Sequence, residues 1–308
     1  MDTSVPSLAP SRSRASLPVI IGGLITTGLA LLGVWAANQS SDDFNIMSWY
    51  AYYIIPIGAL LIGIVAGSGY GIASWLTGVR ISSTLLLTVV VLQILAYFAA
   101  QYIEYLQLLS VYGAEGQMSF FEYFDITTRA FAWQSKDGSA GSTLGGWGYL
   151  WRCLEIAGFT FGGLIVPLFL KAKPYCSDCQ RYMRTRNLIL LPAGIVPKKI
   201  KKKDFDGRAD YERDSESAFV EGIQIFENLK AAAAEGQTSK FNDIISTYAP
   251  DKKTIAKLNT RITVILSNCP ACYVGLLRAA SLTGQGDKIS RQDLGSSKVD
   301  PGLAREVS

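Results

Sequence analysis

Cys176 and Cys179 are separated by two residues in CSDC, and Cys269 and Cys272 repeat that spacing in CPAC. Two intervening residues let one tight turn aim both sulfurs at a common point, and a second such turn can complete a tetrahedron around a metal ion. The same spacing also suits a redox dithiol, and four thiols can equally be independent structural residues. Cys153, the remaining cysteine, lies in an apolar stretch and reads as a small packing residue. With five cysteines and no histidine, imidazole-based metal sites and Ser-His-Asp hydrolysis are excluded within this chain. No catalytic constellation stands out, so the chain reads as non-enzymatic.

Which chemistry the thiols perform depends on their compartment, and the preceding elements set that. The 308 residues are 49% hydrophobic and 18% charged, with mean hydropathy +0.23. Residues 172–308 hold 22 of the 29 basic side chains and 16 of the 25 acidic ones, a formal +6. The composition breaks near residue 171. Before it, residues 18–37, 49–76, 82–108 and 147–170 form four uncharged or nearly uncharged runs. Each is long enough to cross a hydrocarbon core, which takes about 20 residues. The first run is longer than a secretory h-region and reads as an uncleaved signal anchor. Arg12, Arg14, Arg80, Lys171, Lys173, Arg181, Arg184 and Arg186 flank one set of span ends, whereas the other side has only Arg129 and Lys136. Basic residues favour the cytosolic side, so both termini are expected there, in a plasma (inner) membrane. Trp49, Tyr50, Tyr52 and Tyr53 suit one interface and Trp75 the other.

The cytosol is reducing, which disfavours a permanent disulfide and favours metal. Apolar, β-branched residues follow the first cysteine pair (RYMRTRNLILLPAGIVP) and precede the second (TRITVILSN), as strands require. A cysteine turn, a strand leading away, a strand returning and a second cysteine turn: this order resembles the zinc-ribbon family. The resemblance covers about 40 residues around the two turns. It implies one structural zinc per chain on Cys176, Cys179, Cys269 and Cys272. The membrane half suggests no family. The departure is the gap, since 89 residues separate the pairs where about 15–20 are usual. The excess reads as a helical insertion: ADYERDSESAFVEGIQIFENLKAAAAEG is periodic and stops at Gly236, and a shorter helix ends at Pro250.

The expected fold is thus an α-helical membrane protein of four transmembrane helices with a cytosolic α+β zinc-ribbon-like domain carrying a helical insertion. Its parts are a tail at 1–17, a membrane domain at 18–171 with an outer loop at 109–146, a zinc-ribbon-like domain at 172–283, and a disordered tail at 284–308. Gly63, Gly67 and Gly71, with Gly158 and Gly162, form small-residue faces for packing within the bundle or between copies. Pro56 is expected to kink the second span. Glu104, Arg152 and Glu155 read as a structural ion pair with a neighbour, or as an ion relay. Gln93 reads as helix–helix glue. Ser119 and Glu122 have capping-box spacing at the head of an aromatic helix expected to lie in the interface. The run Lys198–Lys203 suits anionic lipids better than nucleic acid, having no interleaved aromatics. The leading function is a membrane-anchored scaffold or regulatory subunit presenting the zinc domain to a protein partner, with self-association through the glycine faces as another option. The alternatives are a transporter or channel component and a membrane thiol-disulfide oxidoreductase.

Overall fold

The structure is a computed structural model that describes residues 16–40, 47, 49–51, 54–112, 118–134, 140–198, 204–249, 252–284 and 288–307. Arg12, Arg14, Tyr52, Tyr53, Lys136, Pro250 and the basic run from 199 to 203 lie outside the described residues. The chain divides into two compact units, residues 1–173 and 174–308.

Among the described residues, the first unit has four helices long and apolar enough to cross a membrane. They are α1 (Leu17–Ser40), α2 (Ile57–Thr77), α3 (Ser83–Tyr112) and, after α4 (Phe120–Arg129) and the strand pair β1 (Ala132–Gln134) and β2 (Ala140–Thr143), α5 (Gly148–Lys171). The second run departs from expectation at its start. Helix α2 begins at Ile57, and Pro56 is its N-terminal boundary rather than an internal kink. A proline costs least there, because a helix's first N–H groups have no partner within the helix. Among the described residues, the proline in a helix interior is instead Pro167, buried in α5.

The glycine faces are consumed within the chain. A Cβ on Gly67 would lie 2.1 Å from the Gly163 carbonyl oxygen, and one on Gly63 2.1 Å from that of Phe159. On the facing helix, a Cβ at Gly162 would meet the Leu60 oxygen at 2.3 Å. Helices α2 and α5 therefore touch backbone to backbone, so these glycines pack within the bundle, one of the two uses expected of them. Gly23 accommodates the Tyr70 ring on the other side of α2, where Thr26 and Thr27 donate to the Ala66 carbonyl at 2.8 and 3.2 Å. Gln93 is fully buried against Gly163, but its amide atoms have no hydrogen-bond partner, so it fills a notch rather than gluing helices.

Helix α4 is capped as its spacing predicts, with Ser119 accepting from the Glu122 N–H at 3.3 Å. Its rings turn inward more than an interfacial helix requires. Phe120 stacks edgewise on Tyr102 and Tyr105, and Phe124 meets Phe98 at 5.9 Å between centroids. Phe121 alone of these rings remains strongly exposed, at 82%.

The second unit starts with a two-stranded pair, β3 (Tyr175–Cys176) and β4 (Arg181–Tyr182), followed by β5 (Arg184–Pro192). Three helices come next: α6 (Phe205–Ala234), α7 (Thr238–Tyr248) and α8 (Lys252–Ile255). The chain then returns through β6 (Thr260–Asn268), β7 (Gly275–Thr283), β8 (Ser290–Val299) and α9 (Pro301–Glu306). Strands β5 to β8 form one antiparallel sheet in sequence order. Phe226, Leu229 and Phe241 from the helices pack on Leu191, Ile262, Leu266 and Leu277 of the sheet, with Leu303 of α9. Asn259 ties the helical segment shut: its Oδ1 accepts from Ile195 N–H at 2.9 Å while its Nδ2 donates to Ser215 at 3.0 Å. The segment from 284 onward, expected to be disordered, is the correction here. Its polar residues form edge strand β8, exposed along most of its length, which buries Val299 and packs Leu294 against the core. An edge strand with one solvated face can be stable with few apolar residues, which is why composition hid it.

Candidate metal centre

Both cysteine pairs sit in tight turns at one end of the sheet of the second unit. The first turn joins β3 to β4, with Cys176 opposite Arg181 and Tyr175 opposite Tyr182. The second joins β6 to β7, where the Cys269 N–H donates to the Val274 carbonyl at 3.0 Å and the Tyr273 N–H to the Cys269 carbonyl at 3.0 Å. Strand β5 leaves the first turn and pairs with β6, which enters the second, from Arg184 opposite Asn268 to Pro192 opposite Arg261. That ladder, with one irregularity near Leu188, is what brings residues 90 positions apart together.

The four sulfurs lie within 4.8 Å of one another, with Cys176 and Cys272 at 3.7 Å. A tetrahedron with metal–sulfur bonds of about 2.3 Å has sulfur–sulfur edges of about 3.8 Å. The donor set therefore fits a metal ion with small adjustments. Cys269 and Cys176 are buried, and Cys179 and Cys272 are half-buried. All are free thiols.

Two residues that sequence reasoning passed over complete the symmetry. Gln180 and Tyr273 each directly follow the second cysteine of a pair, and they adopt φ of +51° and +59°. Among the described residues they are the non-glycine positions with positive φ. Such a backbone costs a side-chain-bearing residue about 1–2 kcal/mol, so both turns hold the same local strain. Neither is glycine, so no residue signal marked them. Arg305 of α9 stacks 5.5 Å above the Tyr273 ring and helps hold that turn.

The thiols affect one another. Hydrogen bonding with the Cys272 thiol, aided by burial, pushes Cys179 up to about 12. Burial raises Cys176, whereas the backbone N–H of Val274 lowers Cys272. Without a metal, Cys176 and Cys179 hold their protons more tightly than free thiols, as hydrogen bonding among the sulfurs and burial favour the neutral form. A divalent cation reverses that preference.

Arg152 and Glu155 of the first unit anchor a second, buried cluster. Arg152 Nη1 meets Glu155 Oε2 at 2.8 Å, with side chains 7% and 0% exposed. Tyr97 donates to the same oxygen at 2.8 Å. Helix α4 covers the guanidinium: Thr128 and Thr127 accept from it at 3.3 and 3.4 Å, and its carbon lies 5.6 Å from the Phe124 ring centre. The i,i+3 pair was legible in the sequence, but the contributions of Tyr97 and α4 were not. Glu104 is also buried. Tyr123 on α4 registers it, since burial together with the Glu104 carboxylate pushes that phenol up to about 12.

No family model, curated protein or solved structure matches this chain.

Proposed function

We propose that the chain is a membrane-anchored, non-enzymatic scaffold or regulatory subunit whose cytosolic domain is a zinc ribbon carrying a helical insertion. The observation that carries the reading is the convergence of four thiols from two matching turns at the ends of a paired β5–β6 ladder. An all-sulfur, histidine-free site is soft, and four-thiolate tetrahedral sites suit zinc. The zinc organises the end of the sheet and presents it to a protein partner. The four apolar helices anchor the domain in a plasma (inner) membrane. Four thiols around one point are not an open redox pair, so the site is structural and closed.

Protein purified in detergent is expected to carry about one zinc per chain, measured by elemental analysis. Cys269→Ser releases the metal and renders residues after 174 protease-sensitive, because binding and folding of such sites are coupled. A metal-free protein whose C-terminal unit resists protease would reject the zinc assignment.

A further inference from the structure

The sheet of the second unit has two faces of opposite character. Paired residues on adjacent strands share a face, and neighbours along a strand alternate. One face carries Ile262, Val264, Leu277 and Val299 into the core beneath the helices. On the other, the register aligns Ile265 with Arg278, Leu276 with Lys298, and Leu282 with Arg291. These three cations are exposed, whereas Arg261, also aligned with Leu282, is buried and donates to the Leu258 and Gly284 carbonyls. Their apolar partners are half-buried and belong to no core cluster. Asp293 is the one acid at the aligned positions, and its carboxylate is engaged locally, accepting from Gly295 N–H at 2.9 Å. Across the layer α6 is net acidic, with seven carboxylates against three cations, although the register places Arg184 and Arg186 of β5 on that side too.

We infer that this sheet face docks on an anionic lipid surface. Its composition suits a headgroup layer: long basic side chains can reach phosphates while their stems and the intervening leucines meet the acyl boundary. The aligned positions of the face include no aromatic residue, so a nucleic-acid strand would find no stacking platform. The acidic α6 layer repels the same surface that the sheet attracts, which selects one face. Residues 172–174 alone lie between the end of α5 and the start of β3. Fully extended, they reach about 14 Å, so a bilayer crossed by α5 is presented to the domain at high effective concentration. The inference rests on the reading that the apolar helices cross a bilayer, and not on the metal.

The test uses the full chain in nanodiscs of neutral phosphatidylcholine, or of a mixture about one-third phosphatidylglycerol. Lysine acetylation by an uncharged reagent is followed by mass spectrometry. Lys298 is expected to react about threefold or more slowly in the anionic discs, with the difference lost at about 0.5 M salt. Lys240, exposed on α7, is the internal control and keeps its rate. Arg278→Glu with Arg291→Glu abolishes the Lys298 difference. Equal Lys298 rates in both discs, or equal slowing of Lys240, would overturn the inference. So would protection of Lys298 by RNA in neutral discs without any lipid effect. Disc incorporation and zinc content are read on the same samples. A chain that stays out of discs fails through the membrane reading, whereas a zinc-free chain with a protected Lys298 fails only the metal reading.

Discussion

Gln180 and Tyr273 occupy equivalent places in two turns that share no sequence beyond their cysteines, and that equivalence constrains what mutations there should do. Gln180→Gly removes a positive-φ penalty without touching a sulfur. It is expected to stabilise the metal-free domain by about 0.5–1 kcal/mol and to leave metal stoichiometry unchanged, as measured by denaturant unfolding. Protonation of the thiols gives a second test. In the metal-free state Cys179 holds its proton to about 12, above its ordinary value of 9.0. A thiol raised by folding contributes stability below its unfolded value and loses it as pH rises through the folded one. The metal-free domain should therefore weaken between about pH 9 and 12, by the linkage of proton binding to folding. The metal-loaded domain should show the opposite trend at lower pH, since protons compete with metal: it strengthens from about pH 5 to 7 and releases protons on loading. Thermal denaturation across pH, with and without chelator, separates the two slopes. A parallel pH profile in both states would mean that the four sulfurs do not bind the ion.

At the scale of elements, legibility followed how local the signal was. The cysteine turns, the Arg152–Glu155 pair and the Ser119 cap depend on residues a few positions apart, and each was readable. The four apolar helices were readable from run length alone. The α2 start was not, because an apolar run does not say where helix begins, and residues 49–56 are as free of charge as the helix they precede. Strand β8 was hidden because its partner, β7, supplies most of the apolar surface of that edge. The glycines of α2 were visible, but their partner was not, since Gly163 and Phe159 of α5 meet them only in three dimensions. That contact gives a directional prediction. Gly67→Leu must push two backbones apart and should destabilise the bundle by about 3 kcal/mol or prevent its assembly. Gly33→Leu, where an added Cβ meets nothing within 4 Å, should be tolerated. Thermal stability in detergent, read by size-exclusion chromatography, compares the two. Equal tolerance would mean that the α2–α5 crossing is not made through Gly67.

The whole molecule pairs a buried ionic cluster in one unit with a sulfur cluster in the other, and the scaffold and transporter readings differ over the first. Two carboxylates, Glu104 and Glu155, act on one guanidinium, Arg152. If the cluster is structural, charge balance orders its variants. Arg152→Leu leaves two buried carboxylates without their cation and should be the most damaging, by about 3–5 kcal/mol. Glu155→Leu leaves Arg152 with Glu104 and with the hydroxyls of Thr127 and Thr128, and should be milder. The double variant removes the pair and takes Arg152 away from Glu104, so it should fall between them, and adding Glu104→Gln should recover stability. A transport role predicts a different separation, because Glu155→Gln would fold normally yet abolish ion or proton flux. Detergent stability and flux into liposomes, measured on the same preparations, decide between the two readings. Robust flux by the wild-type chain that disappears in a well-folded Glu155→Gln variant would replace the scaffold with a transporter. Absent flux together with the stability order given above would make Arg152 the bolt that fastens α4 over the end of α5.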